Sequence, residues 1–219
     1  MRRTIIESVE KEKLIAIVRG VEKEKLIPLV DALKEGGVRL VELTYSANKK
    51  IPDEETAKMI AELVAQFGNQ MFIGAGTVLT EAQVELTKAA GGQFIISPDV
   101  YEPVIRRTKE LGMVSMPGAL TPTEIRTAVR AGADFVKVFP TSTMGSAYIK
   151  AIAAPLSDVK MLAVGGVNDE NMSEFYKAGA IGFGIGTNIT DKKLIEANDY
   201  AGIAALAERY VAAARALGK

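Results

Sequence analysis

The 219-residue chain contains no cysteine and no histidine. Without cysteine there is no disulfide, no thiolate nucleophile and no iron–sulfur cluster. Without histidine the Ser-His and Cys-His nucleophilic systems are excluded. The commonest metal ligand is missing too, so a catalytic zinc site of the usual His-containing kinds is not expected. The chain also lacks an excess of either charge. Its 27 basic and 27 acidic residues cancel, which gives no support for a nucleic-acid or anionic-membrane partner. Hydrophobic residues make up 48% of the chain, enough for a sizeable core, but no run is long enough to suggest a transmembrane helix. The opening Met1-Arg2-Arg3-Thr4-Ile5-Ile6-Glu7 returns to charge too soon for the apolar region of a signal peptide. A cytoplasmic protein is therefore expected. Any chemistry must come from Lys, Glu, Asp, Arg, Tyr, hydroxyls and backbone, and neither a metal nor a cofactor is expected.

Short apolar runs are abundant. Eight of them lie at 14–18, 38–44, 71–74, 94–97, 114–117, 135–139, 161–164 and 182–185. Each gap has room for one helix, and strands alternating with helical patterns predict βαβ units and a parallel sheet. Eight such units in this length match a compact (β/α)8 TIM barrel. A doubly wound open sheet is the alternative, though it more often shows a Gly-rich phosphate turn after the first strand. Helical spacing of Leu26, Leu29, Val30 and Leu33 predicts a helix over 22–34, ended by Gly36-Gly37. A second is predicted over 53–67. Thr80 with Gln83, and Thr121 with Glu124, read as capping boxes. Asn168 is expected to open a helix reaching Ala178, and a last helix is expected over 200–216. Residues 3–13 predict an extra helix under the barrel. No linker or charge block interrupts the pattern, so residues 1–219 are read as a single domain.

Lys137 stands out because it lies inside the apolar run Phe135-Val136-Lys137-Val138-Phe139-Pro140. A buried lysine is costly unless paired or functional, and burial lowers an amine's pKa toward nucleophilic use. Side chains alternate along a strand. If Val136 and Val138 meet the helices, Lys137 points into the barrel. By the same rule Leu40, Glu42 and Thr44 point inward, as do Ile15, Ile17 and Arg19, with Arg19 at the strand's C-terminal end. Barrel enzymes keep their active sites at that end. The competing readings are a buried structural ion pair for Glu42 and Lys137, and a plain surface position for Arg19. The turns Gly165-Gly166 and Gly184-Ile185-Gly186-Thr187 follow the seventh and eighth runs, where barrels commonly bind phosphate. Ordinary tight turns are the alternative there.

Together, Glu42-Leu43-Thr44, Gly74-Ala75-Gly76-Thr77-Val78, Ile96-Ser97-Pro98, Pro117-Gly118, Lys137-Val138-Phe139-Pro140 and Gly165-Gly166 resemble the 2-keto-3-deoxy-6-phosphogluconate aldolases over nearly the whole chain. These are class I aldolases on a (β/α)8 barrel, often trimeric, so a homotrimer is implied. The resemblance implies that Lys137 forms a Schiff base with the keto carbon and that Glu42 shuttles protons. Gly76 and Thr77 would hold the substrate carboxylate, and Pro98 and Phe139 would line the substrate pocket. Gly165, Gly166, Gly186 and Thr187 would hold the phosphate. The implied reaction is reversible cleavage of a small phosphorylated sugar acid to pyruvate and glyceraldehyde 3-phosphate, and 4-hydroxy-2-oxoglutarate is a close alternative substrate. Ser46 stands where gluconate-type members typically carry arginine, which passes carboxylate recognition to Arg19. Ile17-Val18-Arg19-Gly20 and Ala163-Val164-Gly165-Gly166-Val167 are similar to the 2-keto-3-deoxy-6-phosphogalactonate branch, so the resemblance leans toward galactonate-type or dual activity. The rival functions are a phosphosugar isomerase or epimerase that uses Glu42 without imine chemistry, and a non-catalytic phosphosugar-binding module.

Overall fold

Runs of β-branched and small residues between helices form a parallel barrel. The structure is a computed structural model that describes residues 2–218. Its strands are β1 (Leu14–Val18), β2 (Leu40–Thr44), β3 (Phe72–Gly76), β4 (Phe94–Ile96), β5 (Val114–Met116), β6 (Gly118–Ala119), β7 (Val136–Val138), β8 (Met161–Val164) and β9 (Ala180–Ile185). They pair in parallel in the order β5-β4-β3-β2-β1-β9-β8-β7-β6. The ends of this order are two halves of one strand, so the chain itself closes the barrel. The run 114–117 forms β5 and stops at Pro117, which has no N–H to give to a ladder, and the short β6 follows it. The seam is still hydrogen-bonded: Phe135 N donates to the Ser115 carbonyl at 3.3 Å, and Lys137 N to the Pro117 carbonyl at 2.9 Å.

The helices are α1 (Arg2–Glu12), α2 (Lys23–Glu35), α3 (Asp53–Phe67), α4 (Glu81–Ala89), α5 (Glu102–Glu110), α6 (Pro122–Ala131), α7 (Gly145–Ala153), α8 (Met172–Lys177), α9 (Lys192–Glu196) and α10 (Tyr200–Arg215). Thr80 and Thr121 form the two expected capping boxes, with Pro122 in the first turn of α6. The helix expected from Asn168 begins only at Met172. Asn168 Oδ1 instead accepts from the backbone N–H of Glu170 and Asn171, a local bond that favours a turn over a helix.

Two apolar layers hold the fold. Outward strand residues such as Ala16, Val41, Leu43, Val136 and Val138 pack with the surrounding helices. Inward residues Ile15, Leu40, Phe94, Val114, Phe135 and Leu162 form a separate cluster inside the barrel, joined by Ile5 and Val9 of α1. Leu40, Phe94 and Val114 begin their strands, so α1 closes the N-terminal end. Burying Ile5 and Val9 contributes about 1.5–3 kcal/mol each. Asp134 ties this end together: its side chain meets Arg2, takes Lys109 Nζ at 2.6 Å and accepts from Ser115 N at 3.0 Å. The opposite, C-terminal end is left open.

Candidate active site

The alternation that buries Val136 and Val138 against helices turns Lys137 into the barrel, where it is 6% exposed. Glu42 on β2 points inward by the same rule and is 2% exposed. Both side chains line one narrow cleft, walled by Ile17, Ile96, Leu162 and Val164. Two glycines on one face of β3, Gly74 and Gly76, leave room for neighbouring inward side chains. A Cβ on Gly76 would lie 2.7 Å from Cδ and Oε1 of Glu42, and one on Gly74 would lie 2.3 Å from the Phe94 ring.

The apolar walls shift both groups away from their ordinary pKa ranges. Burial pushes the Lys137 amine below the ordinary lysine range; Glu42 pulls it back up and Arg19 pushes it further down. Burial pushes the Glu42 carboxyl above its usual range, opposed by Lys137 and then Arg19. Glu42 Oε2 is buried with no hydrogen-bond partner. Such an orphan atom costs about 1–3 kcal/mol, and it calls for an explanation such as a catalytic role. Lys137 Nζ also sits 4.6 Å from the centroid of the Phe139 ring, within cation–π range.

Above the cleft the barrel mouth opens into a cavity of about 700 Å³, lined by Arg19, Lys137, Phe139, Val164, Gly165, Gly166, Gly186 and Thr187 among others. The structure thus brings one expected anchor, both glycine turns and the lysine to one space, with Glu42 in the cleft below. Arg19 Nη2 donates to Thr77 Oγ1 at 3.4 Å, which joins the ends of β1 and β3. Thr77 has a φ of 56°, an uncommon conformation for a non-glycine residue. Gly165 and Gly166 have φ values of 96° and 76°, suited to a turn that gathers backbone N–H groups into an anion-binding concavity. Pro98, Gly76 and Thr77 stand at the strand ends around this space and are not among the residues that line the cleft or the cavity. The Pro98 carbonyl packs against Gly118, where a Cβ would approach to 2.4 Å.

Several residues of the site escaped the sequence. Lys25 and Lys192 line the far side of the cavity. Lys25 Nζ donates to the carbonyls of Ile195 and Glu196 at 3.4 Å each, which pins α2 to α9. Only the closure of β1 onto β9 makes these segments neighbours. Thr141, directly after the Lys137–Pro140 motif, is fully buried beneath the Gly165 turn, and its position in the chain was the available signal. Among the described residues no group of three or more acidic side chains could hold a metal ion, and no helix is long and apolar enough to cross a membrane.

The closed barrel, with a lysine and a glutamate buried under a glycine-lined mouth, has the build of a barrel enzyme of the aldolase class. The family model described as KDPG and KHG aldolase matches residues 5–206, and the chain belongs to that family of lyases. The 2-dehydro-3-deoxy-6-phosphogalactonate aldolase of Escherichia coli (strain K12) is 39% identical over 180 residues, 82% of this chain and 85% of that protein. A solved structure described as "Native KDPGal structure" has a TM-score of 0.82 and 36% identity, covering 93% of this chain and 94% of its own. A KDPG aldolase from Legionella pneumophila, with pyruvate captured as a covalent carbinolamine intermediate, has a TM-score of 0.82 and 27% identity, covering 93% and 96%.

Proposed function

We propose that the chain is a class I aldolase that cleaves a 2-keto-3-deoxy-6-phospho sugar acid to pyruvate and glyceraldehyde 3-phosphate, with a preference for the galactonate type. The observation that carries this is the pairing of a buried amine, held below its usual pKa, with a buried carboxylate at the open end of the barrel. The neutral Lys137 amine attacks the C2 carbonyl to give a carbinolamine; protonated Glu42 gives the proton with which the carbinolamine hydroxyl leaves as water, yielding a protonated imine and a Glu42 carboxylate. Glu42 takes the proton of the C4 hydroxyl as the C3–C4 bond breaks. The bond's electron pair passes into the imine, leaving an enamine and releasing the aldehyde. Protonated Glu42 then returns a proton to C3, and water hydrolyses the imine to free pyruvate and the amine.

In this reading Arg19, with Gly76 and Thr77, holds the substrate carboxylate. Phe139 walls the pocket, and Gly165, Gly166, Gly186 and Thr187 hold the phosphate. Val164 lines both the cleft and the cavity and offers no hydroxyl to the substrate's C4 region, which supports the galactonate lean together with the E. coli relative. A trimer of this 23.4 kDa chain belongs to the same reading; sedimentation as a monomer alone would remove it. The test of the mechanism is borohydride reduction in the presence of pyruvate. The expected result is a single covalent adduct on Lys137, absent in Lys137→Met. Turnover with no adduct would favour proton transfer without an imine, as in an isomerase.

A further inference from the structure

Side chains brace successive carbonyls of the turn after β8. Thr141 Oγ1 donates to the Gly165 carbonyl at 2.6 Å, with the Val164 carbonyl further off at 3.1 Å. Asn171 Nδ2 donates to the Gly166 carbonyl at 3.0 Å. A trans peptide sets its C=O and N–H in opposite directions. Holding the Gly165 carbonyl therefore aims the Gly166 N–H, and holding the Gly166 carbonyl aims the Val167 N–H. Among the described residues neither N–H has a backbone acceptor, and both residues line the cavity. The following N–H is used internally, since Asn168 N donates to Asn171 Oδ1 at 2.8 Å. The bracing thus leaves two consecutive donors free.

Thr141 is fully buried, so it grips the turn from the protein side and the amide it orients faces the other way. Without that grip, two glycines at positive φ leave the peptide between them free to rotate. Preorganised donors bind an anion better than donors that must first be ordered. Thr141 N also donates to the Val164 carbonyl at 2.9 Å, so the segment that follows Lys137 is fastened directly to the turn.

We infer that Thr141 and Asn171 are positioning residues that preset the Gly166 and Val167 N–H groups toward the substrate's phosphate. This rests on the assignment of the phosphate to the turn after β8. The test uses Thr141→Val, Thr141→Ser and Asn171→Ala in the full chain. It measures competitive inhibition by inorganic phosphate, KM for the phosphorylated sugar acid, and borohydride trapping of the pyruvate imine. Thr141→Val and Asn171→Ala are expected to weaken phosphate inhibition and raise KM by roughly 10-fold, the effect of losing one well-aimed charge-assisted hydrogen bond. Pyruvate trapping, which needs no phosphate contact, should stay within about 2-fold, and Thr141→Ser should restore phosphate inhibition. Should Thr141→Val not fold, Asn171→Ala carries the same comparison from a half-buried position. Inhibition in the parent chain with both variants unchanged overturns the inference and leaves the phosphate site standing. No phosphate inhibition in the parent chain overturns both. Equal losses in phosphate inhibition and pyruvate trapping mark general structural support and also overturn the inference.

Discussion

Gly76→Ala tests the position of Glu42 while leaving its carboxylate chemically intact. Gly76 ends β3 opposite Thr44 and its φ is not in the left-handed region, so alanine meets no backbone obstacle. The new Cβ would lie 2.7 Å from Cδ and Oε1 of Glu42 and 3.0 Å from Thr44 Cγ2, against an ordinary contact of 3.4 Å or more. The carboxylate must therefore retreat by roughly 0.7 Å, and a misplacement near 1 Å can cost about 100-fold in rate. A fall in kcat of ~10- to 100-fold is expected. Overpacking costs ~1–3 kcal/mol, or a few degrees in Tm for a chain of this length. The assay is steady-state cleavage of the phosphorylated sugar acid with kcat and KM separated, beside a thermal melt. Since alanine keeps the backbone N–H, a carboxylate contact through that N–H would survive. A folded variant with unchanged kcat would refute the placement of Glu42 at the reacting centre. A rise in KM alone would make Gly76 a binding residue and not a spacer.

Other outcomes follow from the same geometry. Imine formation with pyruvate should weaken as pH falls and the Lys137 amine is protonated. Because Glu42 raises the amine's pKa, Glu42→Gln should move that acid limb to lower pH, read as borohydride trapping against pH; a shift to higher pH would contradict the electrostatics. Arg19 acts with the opposite sign, so Arg19→Ala should move the limb upward and raise the KM for pyruvate. Val164→Thr should shift the ratio of kcat/KM for the two C4 epimers toward the gluconate type by ~2- to 10-fold, the worth of one hydrogen bond; an unchanged ratio would free Val164 of that role. The double variant Lys137→Met with Glu42→Leu should abolish turnover yet be neutral or more stable by ~1–4 kcal/mol, as for other buried charge pairs replaced by apolar groups. A strongly lowered Tm would mean the pair supports the fold.

The barrel was legible because its signals are local. Apolar runs at regular spacing marked the strands, and alternation within each run placed Glu42 and Lys137 on the inner face. Capping boxes at Thr80 and Thr121 marked two helix starts to the residue. A misreading came where one residue changes the local rule: Asn168 closes a turn where a helix was expected. The non-local parts of the site were harder. The contact between Arg19 and Thr77 spans 58 residues, and the roles given to that pair came from the resemblance, not from spacing. Lys25 and Lys192 come to one cavity only after the barrel closes. Nothing local singles out Thr141 beyond its place after the Lys137–Pro140 motif, because its partners lie 23 and 24 residues away.

Helix α1 makes the barrel a blind-ended vessel. With Ile5 and Val9 packed among the inward side chains at the N-terminal end, Lys137 faces the mouth lined by the glycine turns. For the reaction proposed here this fixes a sequence of departures. The phosphorylated aldehyde occupies the outer part of the passage and is freed when the C3–C4 bond breaks. The pyruvate fragment lies deeper and stays tethered to Lys137 until water reaches the imine along the same passage. The aldehyde must therefore leave first and pyruvate last, and in the synthetic direction pyruvate must bind before the aldehyde. Product inhibition should follow that order, with pyruvate competing against the sugar acid for free enzyme and glyceraldehyde 3-phosphate acting on the pyruvate-bound form.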